Sequence, residues 1–311
     1  SKVMQTFPGV ATSISFRNDI IIRGGSPNEN VFYLDGIEVP NINHFSTQGS
    51  SGGPVGLINV DLIENVDFIS ASFPSNRGNT LSSVFEFIQK RPNKEKYNTS
   101  LTLGSSDLAL LIDGPISKNS GFIFSARRSY LQFLFKALQL PFLPEYNDIQ
   151  FKYLNKLSDK SELTIIGLGA IDDFSLNKQA NDGVEDITTI ERNQYILDYI
   201  PIQKQWNYTL GVNYKYFSDK GFHTVVLSRN HLNNNAVKND LETNEIELDY
   251  LSEEIENKFR YEYNYGNKKS EINLGFGIEN ALYTNDTYKP VILPSMGVNG
   301  DSIFIYEYNS D

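Results

Sequence analysis

The strongest constraint on how this chain folds is a two-residue alternation that sets in after residue 97. In residues 207–217, Tyr208, Leu210, Val212, Tyr214 and Tyr216 alternate with Thr209, Gly211, Asn213 and Lys215. In residues 258–265, Phe259, Tyr261, Tyr263 and Tyr265 alternate with Lys258, Arg260, Glu262 and Asn264. In residues 271–282, Ile272, Leu274, Phe276 and Ile278 alternate with Glu271, Asn273, Gly275, Gly277 and Glu279. Successive side chains of a strand point to opposite faces, so each set occupies one face of a sheet. The expected product is a long antiparallel meander with one apolar and one strongly polar face.

The polar face carries full charges and glycines, as the lining of a water-filled lumen does. Apolar stretches of about ten residues per strand suit tilted strands that cross a bilayer. Tyrosines near the strand ends suit an interfacial girdle. Tight connections at 218–221 and 265–268 alternate with long polar ones at 172–192 and 232–247. That loop asymmetry is the outer-membrane barrel pattern. A soluble sandwich also alternates, so a soluble β-rich binding domain stays open as an alternative. About ten strands fit between residues 97 and 309. An open sheet edge is not tolerated in lipid, so the barrel is expected to be incomplete in this chain.

Composition narrows the classes. A chain of 311 residues has room for one large or two ordinary domains. The 20 Phe and 18 Tyr stand against a single Trp, a heavy aromatic share for the strands to carry. A net charge of −11 and a pI near 4.9 argue against nucleic acid, and against an anionic membrane surface, as the main partner. There is no cysteine, which excludes a disulfide framework, a thiolate metal site and a catalytic thiol. No apolar run is long enough for a transmembrane helix. The nearest, residues 131–143, is broken by Lys136, Gln139 and Pro141. No leader is legible at Ser1, and the abrupt ends read as those of a fragment or a processed chain.

Residues 1–91 have a different character. Short strands at 20–23 and 31–34 run into Gly24-Gly25 and Asp35-Gly36, pairs that supply the positive φ of tight turns. A glycine-rich loop spans 46–53, a short helix is expected within 57–63, and strands at 66–70 and 84–89. This is a small α+β unit, too short to bury a large core alone. Residues 90–96 read as a linker, which divides the chain into 1–91 and 92–311. The clearest helical stretch is 130–140, with Leu131, Phe133, Leu134 and Leu138 on its apolar face and the barrel wall as its packing partner.

Chemistry is sparse. Gly49-Ser50-Ser51-Gly52-Gly53 fits G-x-S-x-G, but a nucleophile elbow needs a strand before it and a helix after it. Its flanks are a polar loop and Pro54, so no catalytic residue is assigned and the chain is not read as an enzyme. The three histidines, His44, His223 and His231, have no metal-binding spacing. Asp172-Asp173 and Glu253-Glu254 lack the glycine frame of a calcium loop. No metal and no other cofactor is expected.

Phe7-Pro8-Gly9-Val10, Ile22-Arg23-Gly24-Gly25 with Asn28, Leu34-Asp35-Gly36-Ile37 with Pro40, and Gly78 with residues 81–87 follow in order and spacing. In these residues the N-terminal unit resembles the plug domain of TonB-dependent outer-membrane receptors. The resemblance implies a barrel of about 22 strands with the plug inside its lumen. It implies uptake of a scarce, bulky ligand, such as an iron chelate or a glycan, across the cell outer membrane. The implied partners are the TonB-ExbB-ExbD complex acting on an N-terminal segment, outer-membrane lipid, and a surface lipoprotein as a further candidate. Arg23 would pair with lumen carboxylates and hold the plug, the alternative being a solvated turn arginine. Gly24, Gly25, Asp35 and Gly36 would form the motif's turns. Apical plug loops touch ligand in the family, which makes Asn43, His44, Gly52 and Gly53 candidate contacts. This chain departs from the pattern: no TonB box precedes the plug motif, the plug's first strand is missing, and about half the strands are present. Residues 126–131 and 140–144 resemble the Bacteroidetes branch. A non-transport outer-membrane protein that reuses the layout remains a further alternative.

Overall fold

The computed structural model describes residues 9–12, 18–46, 53–241, 243–266, 270–293 and 302–310, with side chains up to residue 290. The N-terminal unit is built from short strands. β1 (Val10–Thr12) and β2 (Ile20–Ile22) pair antiparallel. β3 (Asn30–Leu34) and β4 (Ile37–Glu38) form a hairpin. β5 (Asn43–His44) and β6 (Val55–Gly56) form a two-residue ladder. β7 (Ile63–Ile69) and β8 (Ser83–Gln89) complete a sheet of order β4-β3-β8-β7, in which β3 and β8 run parallel.

Both glycine turns form, but the first is displaced by one residue. Positive φ falls on Arg23 (50°) and Gly24 (82°), with the Gly25 N–H donating to Ile22 O at 2.9 Å. Gly25 is needed for space instead, since a Cβ there would lie 1.7 Å from Ser82 Oγ. At the second turn Asp35 (50°) and Gly36 (80°) close Leu34 against Ile37, the two-residue geometry expected of Asp-Gly. Gly36→Ala should lower stability by about 1–2 kcal/mol, the left-handed penalty of a Cβ. The denaturant midpoint reads this at unchanged slope; an unmoved midpoint would contradict the turn. The helix expected within 57–63 is a single 3-10 turn, Val60–Leu62, capped by Asn59 Oδ1, which accepts from the Asp61 N–H at 3.0 Å.

The remaining strands form one wall. They are β9 (Asn98–Leu103), β10 (Asp107–Pro115), β11 (Ser120–Ser129), β12 (Phe142–Ser158), β13 (Ser161–Leu176), β14 (Ile202–Ser218), β15 (Gly221–Asn239), β16 (Ile246–Gly266), β17 (Glu271–Leu293) and β18 (Ser302–Ser310). Each pairs antiparallel with the next in sequence, in one ten-stranded sheet. β9 and β18 lie at its two edges, so the sheet is not closed. The fold is mainly β, with a large antiparallel sheet packed against a small mixed unit.

Three expectations need correction. The strands are longer than a bilayer requires: β14 to β17 run from 17 to 23 residues. Most of 232–247 is therefore ladder, because β15 continues to Asn239 and β16 resumes at Ile246. Past the apolar band both faces turn polar, and alternation stops marking the strand although backbone pairing continues. Second, 172–192 contains the end of β13 and the start of a helix. After α1 (Leu131–Ala137), the stretch expected to be helical, the chain forms α2 (Ile187–Tyr199). Asp186 caps it by accepting from the Thr189 N–H at 3.0 Å. Third, α1 turns Phe133, Leu134 and Leu138 outward to exposure, and Phe135 packs on Phe142 at 5.5 Å between ring centroids.

Burial along the wall is inverted relative to a soluble protein. Leu210 is 54% exposed, while Asn207 and Asn213 on the opposite face are 7% and 5% exposed. Ile149, Ile171, Leu227, Phe276 and Ile278 are likewise exposed, and Asp148, Gln150, Lys152, Asp172 and Gln205 are buried. The N-terminal unit covers the polar face. Its apolar core, around Ile22, Phe32, Leu34, Ile37 and Phe85, continues into the wall at Ile166, Leu168, Ala170 and Val226. Among the described residues no helix is long and apolar enough to cross a membrane, which leaves crossing by strands untouched.

Candidate functional site: the interface between the N-terminal unit and the wall

The tip of the β3–β4 hairpin is driven into the wall. Asp35 Oδ1 accepts from the Gln89 N–H at 3.0 Å, and Oδ2 lies 2.9 Å from Lys152 Nζ. Lys152 also donates to Gln89 O at 3.1 Å. Asn213 Nδ2 donates to Asp35 O at 2.9 Å, and the Arg260 guanidinium to Gly36 O at 2.6 Å. Ile37 lies directly on Gly211, where a Cβ would come within 2.6 Å of its side chain. Read as a turn residue, Asp35 is also the anion that pins the turn to β12.

A second set of charges lies beside the tip. Arg77 Nε donates to Glu86 Oε1 at 2.5 Å, and its NH1 reaches Glu262 Oε1 on β16 at 3.2 Å. Its guanidinium stands 4.6 Å above the Tyr33 ring. Burial works against the Arg77 charge, and Glu86 and Glu262 more than offset this, so its pKa is raised. Lys258 pairs with Glu38 at 2.7 Å and with Glu256 at 3.0 Å. A cavity of about 580 Å³ opens next to these groups, between Tyr33, Glu38, Asn76 and the inner face of β16 and β17.

Arg23 is not part of this arrangement. Its side chain is exposed and makes no ion pair among the described residues, while its N–H donates to Gly9 O at 3.0 Å. Arg77 does the pairing assigned to Arg23. It sits in a loop without periodicity, and only the Arg77-Gly78 pair could have marked it.

A third set clasps the β5–β6 ladder. His44 is fully buried, with Nδ1 2.6 Å from Asp172 Oδ1 and Nε2 3.0 Å from Asp148 Oδ2. Asp172 Oδ2 also accepts from the Phe45 N–H at 2.8 Å. Arg127 Nε donates to both oxygens of Asp148 at 3.0 Å, and its NH2 to Gly56 O and Leu57 O at 2.9 and 2.7 Å. Gln205 Nε2 donates to Ser46 O at 2.6 Å. Four consecutive wall strands, β11 to β14, thus grip one small hairpin. Asp172 lies near the end of β13 that leads into the long connection carrying α2. The tight turns after β12 and β14 lie at the other end. Of the candidate ligand contacts, Asn43, His44 and Gly53 are buried here, and a Cβ on Gly53 would lie 1.9 Å from His44 O. Gly52 and Ser51 lie outside the described residues, as does the rest of 47–52. Among the described residues no group of three or more His, Asp or Glu side chains is arranged to hold a metal ion.

Residues 1–82 match the family model of the TonB-dependent Receptor Plug Domain. No curated protein matches the chain in sequence. Solved structures match it in fold. The ferric enterobactin receptor PfeA of Pseudomonas aeruginosa aligns over 95% of this chain and 47% of its own, at 14% identity and TM-score 0.61. The pyoverdine outer membrane receptor FpvA of Pseudomonas aeruginosa PAO1 aligns over 92% and 44%, at 16% identity and TM-score 0.63. The ferric citrate transporter FecA, unliganded, aligns over 92% and 45%, at 10% identity and TM-score 0.63. The chain thus spans less than half the length of these proteins. By sequence its first 82 residues match a TonB-dependent receptor plug domain, and by fold the whole chain is similar to the plug and part of the barrel of such receptors.

Proposed function

We propose that residues 1–91 are the plug, and residues 92–311 the N-terminal half of the transmembrane barrel, of a TonB-dependent receptor in the outer membrane. The receptor binds a scarce, bulky ligand, an iron chelate or a glycan, and passes it inward when TonB-ExbB-ExbD acts on the plug. No bond is made or broken, so no residue is catalytic. The observation that carries this reading is the inverted wall. Exposed leucine, isoleucine and phenylalanine ask for hydrocarbon, and buried charges ask for a polar plug. In a soluble sandwich the same apolar faces would be pressed together. Ferric enterobactin and ferric citrate are named for two of the similar receptors, which supports the iron-chelate class here. Residues 126–131 and 140–144 support an origin in the Bacteroidetes branch. Asn43, His44, Gly52 and Gly53 are proposed as the plug residues on the ligand side, Asn43, His44 and Gly53 from buried positions.

Two measurements test the reading. The intact protein should leave its membrane only with detergent; release into plain buffer would sink the membrane assignment. Deleting the plug should abolish TonB-dependent accumulation of the ligand while the barrel still assembles. Accumulation that survives without TonB would point to a non-transport protein of the same layout.

A further inference from the structure

The His44 site holds one proton that nothing above has used. Both ring nitrogens face carboxylate oxygens, at 2.6 and 3.0 Å. A neutral imidazole has one N–H and one lone pair, and a carboxylate can only accept. A lone pair aimed at either carboxylate over these distances is repulsive. An extra proton must therefore lie in the cluster. The carboxylates already accept from other donors, Asp148 from Arg127 and Asp172 from the Phe45 N–H, and a proton on either would face one of those donors or the ring. The proton consequently sits on the ring, and His44 is an imidazolium.

The surroundings are consistent with that charge. The groups that face the ring are Arg127 from β11, Asp148 and Tyr146 from β12, and Asp172 from β13; the Tyr146 ring centroid is 4.3 Å away. With His44 protonated, two cations meet two anions and the sealed site is neutral. Without that proton a net negative charge remains where water does not reach. An unpaired buried charge is strongly unfavourable, so the wall would release the hairpin more readily than keep it.

We propose that His44 is a positioning residue whose bound proton seats the β5–β6 hairpin of the plug against β12 and β13, so that the plug's hold on this end of the wall weakens as pH rises. Burial taken alone would lower the His44 pKa; the hydrogen bonds the ring donates to Asp148 and Asp172, and the charges of those carboxylates, outweigh it and raise it above 6.5. With the native value above the unfolded one, the stabilisation is complete below pH 6.5 and is lost as pH climbs through the raised native value. That this end faces the ligand rests on the receptor reading; the proton-dependent seat does not.

The test uses the intact protein in lipid vesicles. Nitrogen-15 spectra of labelled histidine should show one imidazolium at pH 6 that is absent from His44→Gln. A neutral ring at pH 6 overturns the proposal without any variant having to fold. Amide exchange of residues 43–46 and 53–57, corrected for the intrinsic pH dependence, should accelerate by up to about tenfold per pH unit between pH 6.5 and the raised native value, the slope of one proton, and level off above that value, the midpoint of the loss. Asp172→Asn should move that midpoint to lower pH, and His44→Gln should remove the step at every pH. A purely structural contact would lose protection without moving a midpoint. A flat profile between pH 6 and 9, or a step that persists in His44→Gln, also overturns it. None of these readouts depends on ligand or TonB, so their failure leaves the receptor reading to its own tests.

Discussion

Lys152→Met should loosen the plug from the wall by about 3–5 kcal/mol, the usual penalty for stripping one partner from a buried ion pair. Lys152 and Asp35 have side chains only 5% and 8% exposed and lie 2.9 Å apart. The methionine keeps most of the volume and removes the charge, leaving Asp35 anionic between the β3–β4 turn and β12. Lys152→Met also removes the bond to Gln89 O, so two links between plug and wall fail together. The measurement is the denaturant midpoint of the intact protein in detergent, followed by fluorescence of a probe on the plug. The double change Asp35→Asn with Lys152→Met should recover most of the loss, because a neutral site carries no unpaired charge. If single and double variants lose the same stability, the pair is not coupled and the wall holds the plug by other contacts.

The second large effect is steric. Gly211 faces inward on β14, and the plug's Ile37 occupies the space its side chain would fill, with carbons 2.6, 2.7 and 3.0 Å from an ideal Cβ. Gly211→Leu should therefore unseat the hairpin tip, at a loss of about 1–3 kcal/mol from overpacking. It should also strain the Asn213 bond to Asp35 O, two residues along the same strand face. Leu210→Ala, one residue away, alters a side chain on the outer face and should leave the plug where it is. Protease accessibility of the N-terminal unit in the folded protein separates the two outcomes. Equal accessibility in both variants would mean that Ile37 does not rest on Gly211. Pairing Gly211→Leu with Ile37→Ala should restore part of the seat, since the alanine returns the space.

Residues near the Asp-Gly turn show how far a one-dimensional pattern reaches. Asp35-Gly36 was legible as a turn because its φ demand is local and the residue pair answers it. Its pairing with Lys152 was not, since nothing near Asp35 in sequence marks a partner more than a hundred residues away on another element. Arg23 illustrates the converse. A motif suggested an ionic role, yet Arg23 is exposed and makes no ion pair among the described residues, whereas Arg77, from a loop without periodicity, pairs with Glu86 and Glu262. The α2 helix was hidden for a third reason. Its apolar residues make a weak stripe, and its cap, Asp186 with Thr189, is one polar residue pair in a polar stretch.

By itself the sequence determined the ten-stranded meander, the face of each central strand that is apolar, and the turn chemistry of the N-terminal unit. These follow from rules that act over two to four residues: side-chain alternation, positive φ, and the absence of long apolar runs. Only the tertiary structure decided which charges meet. His44 joins Asp148 and Asp172 across 104 and 128 residues of chain, a distance bridged by the accumulated register of the wall strands and by insertion of the plug. Register is summed over many ladder bonds, and insertion depth over a whole interface. Neither quantity is carried by any local run of residues, so the grip of the wall on the plug appears only when the chain is folded.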